Sequence, residues 1–165
     1  MRVYLDSSVL LRYLLNADET VLRIGTGSEI ASSELLEIEC KRVLQRERLE
    51  GRIDDERYAA SIAALEDYTG MISILEIGQE VKRRASGSFP TVIGTLDAIH
   101  LASALIWKEY SGSDVAILTC DRQLALCARA VGIAEYKLRS TIRGFTPAAL
   151  MVERAPPPCR PSSQP

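Results

Sequence analysis

The stretch VYLDSSVLLRYLL, residues 3–15, decides how this chain is read. Val3, Tyr4 and Leu5 make a short apolar run of the kind that forms a buried strand. Asp6 interrupts it and two serines follow. Val9, Leu10, Tyr13 and Leu14 then recur at helical spacing. A strand that passes into a helix through a carboxylate opens an α/β unit, with the acid at the carboxyl end of the strand. In open parallel sheets that edge is where ligands bind. A capping or turn aspartate would occupy the same place, so Asp6 taken alone leaves both readings open.

The alternation continues outward from this unit, and short apolar runs followed by helical ones predict a parallel sheet covered by helices. Strands are expected at residues 3–6, 29–31, 71–75, 115–119 and 133–137. Helices are expected from Ser7 as N-cap, over 18–24, from Ser32 or Ser33 to 49, over 54–68, 76–85 and 96–110, and over 121–131. Residues 87–94 read as a loop. The fold class is α/β, a three-layer α/β/α sandwich around a central parallel sheet. Beyond residue 155 the sequence APPPCRPSSQP carries five of the seven prolines and has almost nothing to bury, so a disordered tail is expected.

Composition narrows the function. A chain of 165 residues, 47% hydrophobic and 25% charged, is long enough for one substantial core. With 20 basic and 22 acidic residues, net charge −2, bulk charge does not attract polyanions. Any nucleic acid would therefore have to meet a local basic patch. Two Phe and one Trp leave little for extended base stacking. Four cysteines without a CxxC pair, and one histidine, argue against a structural zinc site. Cys40, Cys120 and Cys127 fall in apolar runs and are expected to be buried thiols of a reducing compartment. No secretory leader or membrane-length apolar segment is visible, so the expected location is cytoplasmic, with no membrane partner.

Four acids interrupt apolar patterns. Asp121 ends VAILTC and begins RQLALCARAVG, repeating the strand-to-helix placement of Asp6, and alone it reads as an N-cap. Thr119, two residues earlier, faces the same side of an extended chain. Asp97 enters GTLDAIHLASALIW, a helix apolar nearly all round, where an ionised carboxylate is expensive unless paired or ligating. His100 shares its face and reads as a hydrogen-bonding neighbour. In SSELLEIECKRVL, at about 100° per residue, Glu39 falls inside the arc of Leu35, Leu36, Cys40, Val43 and Leu44. Glu34 and Glu37 fall outside it. A buried ion pair with Arg42 or Arg46 is the bland account of Glu39. Together the four acids can converge at one sheet edge, where they would repel one another unless a cation sat between them. Hard oxygen donors of this kind fit Mg2+ or Mn2+.

The order YLDSSVLL, SSELLEIECKR, TLDAIHLASAL, LTCDRQLALCARAVG resembles PIN-domain proteins, and among them the VapC toxins of toxin–antitoxin pairs, over residues 2–136. The resemblance implies a metal-dependent endoribonuclease, Asp6, Glu39, Asp97 and Asp121 being the acidic quartet that holds Mg2+ (or Mn2+). Ser7, Thr119 and His100 would support it. The implied partners are a cognate antitoxin, an RNA substrate and a second copy of the chain in a homodimer. Products would be a 5′-phosphate and a 3′-hydroxyl. Arg12, Arg42, Arg46 and Arg122 are the candidate RNA-binding cations, and single-stranded or looped RNA suits a concave acidic site. Residues 1–137 would be the nuclease domain, 138–154 an extension without assigned role, and 155–165 the tail.

Other readings fit less well. A haloacid-dehalogenase-type phosphotransferase wants a second aspartate where Ser8 stands, and a receiver domain wants one in MISIL, which has none. A GxGxxG loop is missing after the first strand. A catalytically inert PIN-fold RNA-binding or scaffold module remains the alternative.

Overall fold

The computed structural model describes residues 1–24 and 27–136. Five strands, β1 (Arg2–Leu5), β2 (Glu29–Ser33), β3 (Ser73–Leu75), β4 (Val115–Leu118) and β5 (Ala134–Glu135), form one sheet. Their order is β3-β2-β1-β4-β5 and every pairing is parallel. The helices are α1 (Ser7–Asn16), α2 (Leu35–Leu49), α3 (Asp55–Thr69), α4 (Gln79–Ala85), α5 (Thr95–Ser111) and α6 (Arg122–Ala130), with a 3-10 turn at Glu19–Arg23. Among the described residues no helix is long and apolar enough to cross a membrane.

Strand alternation makes the three layers. On β1, Val3 and Leu5 face a core with Leu10 and Leu14 of α1, Leu36, Cys40 and Leu44 of α2, and Leu65 and Tyr68 of α3. Tyr4 points the other way, into a core with Leu101 and Leu105 of α5, Leu124 and Cys127 of α6, and Val115 and Ile117 of β4. α4 packs on α5 through Val81, Ala102 and Ile106. The sheet is thus covered on both faces, as its near-continuous apolar strands require.

Local boundaries moved where side chains found tertiary partners. Asp6, not Ser7, caps α1: it is extended (φ −84°, ψ 148°) and its carboxylate accepts the Ser8 N–H. Ser32 and Ser33 do not cap α2 but extend β2. Both are fully buried, and a strand tolerates them because Ser32 Oγ donates to the Leu5 carbonyl at 2.7 Å and the Ser33 N–H donates to the Tyr4 hydroxyl at 3.2 Å. The third strand starts two residues later than residue 71, and the fifth is only Ala134–Glu135. Cys40 and Cys127 are buried as expected, but Cys120 is exposed, because the chain leaves the sheet after Leu118. Residues 137–165, with Cys159, the extension and the Pro-rich tail, lie outside the described residues.

Candidate functional site

Parallel strands bring their carboxyl ends to one edge, and two of the four acids, Asp6 and Asp121, arrive there as N-caps at strand-to-helix junctions. Asp6 follows β1 and is 4% exposed. Its Oδ2 accepts from Thr119 Oγ1 at 2.8 Å and from Ser8 Oγ, while its backbone N–H donates to the Leu118 carbonyl at 3.0 Å. Thr119 and Ser8 each reach further. The Thr119 hydroxyl accepts the Asp121 N–H at 2.9 Å, and the Ser8 hydroxyl accepts the Cys120 N–H at 3.0 Å. Two hydroxyls therefore stitch the end of β1 to the end of β4. Asp121 caps α6, one carboxylate oxygen accepting from the N–H groups of Gln123 (2.6 Å) and Leu124 (2.9 Å).

Asp97 stands in the first turn of α5, where Oδ2 accepts the Gly94 N–H at 3.2 Å. A Cβ on Gly94 would lie 3.1 Å from that oxygen, so a bare backbone is what lets the carboxylate fold back. The Asp97 carboxyl is held above its ordinary range, first by burial and then by the charges of Asp121 and Asp6; the Gly94 bond and His100 oppose this. Like charges acting on one carboxyl place three of the acids in one electrostatic neighbourhood.

Glu39 comes from α2 and is half-buried, whereas Glu37 is exposed and paired with Lys41. Its partner is not Arg42 or Arg46. His100 Nε2 lies 2.7 Å from Glu39 Oε2 and 3.8 Å from Asp6 Oδ1. Burial pushes the Glu39 carboxyl up, but hydrogen bonds from His100 and Ser7 outweigh it and hold the group below its usual range. The histidine is itself fixed. It is 1% exposed, and Tyr4 Oη lies 2.9 Å from Nδ1. An ionised Glu39 only accepts, so Nε2 carries the proton that faces it; in the neutral ring Nδ1 then accepts from the Tyr4 hydroxyl, which itself accepts the Ser33 N–H. Burial, and then the charges of Glu39 and Asp6, push the Cys40 thiol up to about 12.

Among the described residues, no three Asp, Glu, His or Cys side chains converge as a finished cation cage. The reason is visible in the bonds: each acid is turned toward a donor of its own chain. In Asp97 and Asp121 those bonds use one carboxylate oxygen. Of the candidate RNA contacts, Arg12 is engaged by Asp18 at 2.6 Å and lies 3.6 Å from Cys120 Sγ. Arg46 lies 3.9 Å from Glu47. Arg42 and Arg122 are exposed and make no ion pair among the described residues. Sequence reasoning missed Ser8, Tyr4 and Ser33. Tyr4 carried a signal, since a tyrosine inside an aliphatic strand needs a partner for its hydroxyl; Ser33 carried none until the helix start was known.

This open parallel α/β sheet, with acids at its carboxyl edge, has the layout of a class that binds ligands at that edge, and comparison with known proteins specifies it. The PIN domain family model matches residues 3–130. The chain belongs to the PIN-domain family, in its VapC-type branch. It is 30% identical over 138 residues to Ribonuclease VapC47 of Mycobacterium tuberculosis, covering 79% of this chain and 92% of that protein. Two solved structures share the fold: VapBC-1 from nontypeable Haemophilus influenzae (TM-score 0.56, 15% identity, 85% of this chain and 100% of that one) and VapBC2 from Rickettsia felis bound to a DNA fragment from their promoter (TM-score 0.55, 11% identity, 73% and 88%).

Proposed function

We propose that this protein is an endoribonuclease dependent on Mg2+ or Mn2+, the toxin of a toxin–antitoxin pair, with Asp6, Glu39, Asp97 and Asp121 as its catalytic carboxylates. VapC-type PIN domains are in general ribonucleases, which supports the reaction class. The observation that carries the site is the Asp97 carboxyl, pushed up by burial and by the charges of Asp121 and Asp6. Acids crowded this way fit a divalent cation in donor chemistry, being hard oxygens that repel one another until a positive charge intervenes. Rotation of Asp97 away from its backbone donor would complete the cage.

Asp6, Glu39 and Asp97 would hold the cation. When bound there, it would lower the pKa of a water and offset charge on the scissile phosphate. The chain's own part is to keep the donors in place. Thr119 and Ser8 fix Asp6, and His100 and Ser7 fix Glu39. Asp121, exposed at the rim, orients the attacking water. Arg42 and Arg122, exposed and free of ion pairs among the described residues, take the phosphates flanking the cut. An antitoxin would cover this edge. A second copy would bind across the α3–β3 side, where Met71 is 65% and Ile74 43% exposed.

The test is cleavage of a pool of structured RNAs by purified protein in Mg2+, Mn2+ or EDTA, beside Asp97→Asn. Metal-dependent cutting that the variant loses is the expected result. Equal cutting by the variant would misplace the site, and intact RNA with retained RNA binding would favour the inert module.

A further inference from the structure

A cleft of about 450 Å3 opens between the end of α4, residues 86–94 and the start of α5. Its size is that of a small-molecule site, which runs to roughly 300–1,000 Å3. It shares walls with the acidic edge. Gly94 lines the cleft and its N–H holds Asp97. Val92 also lines it, and its carbonyl accepts from Gln123 Nε2 at 3.0 Å, two residues beyond Asp121. The cleft is therefore bounded by the helix that carries Asp97 and by a loop hydrogen-bonded to the helix that Asp121 caps.

Its chemistry selects the occupant. Phe89, Ile93 and Ile99 give flat apolar surface, and Thr91 and Thr95 add hydroxyls. The Thr91 hydroxyl is buried without a hydrogen-bond partner among the described residues, an uncommon condition that calls for a ligand or a compensating role. Rotation about one bond can turn it into the cleft. The first-turn amides of α5 have no partners within the helix and supply donors at the same wall. Asp97 in that turn disfavours an anion there. Lys82, exposed in the last turn of α4, stands on the opposite side of the cleft. A flat neutral ring with acceptor atoms on its edge, joined to a phosphate that Lys82 can reach, satisfies all of these groups.

We propose that this cleft receives a nucleobase of single-stranded RNA, from a nucleotide adjacent to the scissile phosphate, and so contributes to target choice. The base stacks on Phe89 and presents its edge to Thr91 and the α5 amides. The inference rests on the ribonuclease reading for the word scissile, but the binding itself can be measured without cleavage.

Two arms test it. In the first, Asp6→Asn protein, whose substituted side chain does not line the cleft, is mixed with oligoribonucleotides carrying single 4-thiouridines, irradiated, and mapped by mass spectrometry. Crosslinks within residues 82–99 are expected, and Phe89→Ala should weaken oligoribonucleotide binding about tenfold, the value of one stacked base. In the second arm, cut ends from a random RNA pool are sequenced. Wild type should show a base preference at one position beside the cut, and Thr91→Val should reduce it about fivefold, as loss of one hydrogen bond would. Thr91→Val should also melt no lower than wild type, because it removes an unpartnered buried hydroxyl; a merely structural Thr91 would move stability and leave the preference alone. Crosslinks confined elsewhere, or a preference that both variants keep, would overturn the proposal and leave the cleft to a protein partner. Crosslinks at 82–99 without any metal-dependent cutting would uphold the cleft and sink the ribonuclease reading instead.

Discussion

His100→Leu offers the sharpest check on how the acidic edge is held. Leucine fills most of the ring volume but removes two bonds made inside the protein. One is the 2.7 Å contact to Glu39, charge-assisted and worth about 1.5–3 kcal/mol; the other is the 2.9 Å contact with Tyr4, worth about 0.5–1.5 kcal/mol. The fully buried Tyr4 hydroxyl then loses its His100 partner, and the half-buried Glu39 carboxylate keeps the Ser7 bond but loses the one from His100. A total near 2–4 kcal/mol converts to a fall in Tm of roughly 5–15 °C for a domain of this size. His100→Gln retains a donor toward Glu39 while losing the acceptor for Tyr4, and should recover about half of the fall. The sign with pH follows from Glu39, whose carboxyl lies below its ordinary range in the folded protein. Its contribution is full above the unfolded carboxylate pKa and is lost as pH falls through the lower folded value. The gap between wild type and His100→Leu should therefore be widest near neutrality and narrow in acid. Thermal unfolding followed by circular dichroism in EDTA reads this without any bound cation. If His100→Leu melts within about 2 °C of wild type at pH 7, the Tyr4–His100–Glu39 chain does not carry this energy and the reasoning fails.

Further expectations concern the same edge. Asp97→Asn keeps an acceptor for the Gly94 N–H but removes a charge that burial, Asp121 and Asp6 all disfavour. An acid whose folded pKa is raised destabilises the fold as pH climbs through the unfolded and then the folded value. The variant should therefore melt above wild type at pH 7 and lose that advantage near pH 4, while abolishing cleavage; a lower Tm at pH 7 would contradict the account. Mg2+ or Mn2+ at about one hundred times its Kd should raise stability by about 2.7 kcal/mol, read as a thermal shift that EDTA reverses and Asp97→Asn reduces. Maleimide labelling with peptide mapping should modify exposed Cys120 within minutes and spare Cys127 and Cys40, the latter buried with its thiol pushed up to about 12. Rapid labelling of Cys40 in folded protein would show that the α2 core opens.

What the sequence determined was whatever short-range pattern encodes. The apolar runs at Val3–Leu5 and Val115–Leu118 and the helical periodicity after them placed two strands, two helices and the acids between them, because strand and helix periods are local properties. The choice of Glu39 over Glu37 was likewise legible, since the arc of a helix follows from residue spacing, and the structure leaves Glu37 in water with Lys41. The resemblance to PIN domains gave the family from four segments in order. Only the tertiary structure decided the rest. That Ser33 ends a strand rather than capping a helix depends on Tyr4, 29 residues away, accepting its N–H. That Glu39 pairs with His100 instead of Arg42 or Arg46 depends on α5 lying beside β2, a contact 61 residues apart in the chain. Ser8 looked like a missing aspartate and proved to be the hydroxyl that ties Asp6 to the Cys120 backbone. Hydrogen bonds between distant segments leave no periodicity, so polar residues inside apolar runs show where such bonds must exist but not with whom they form.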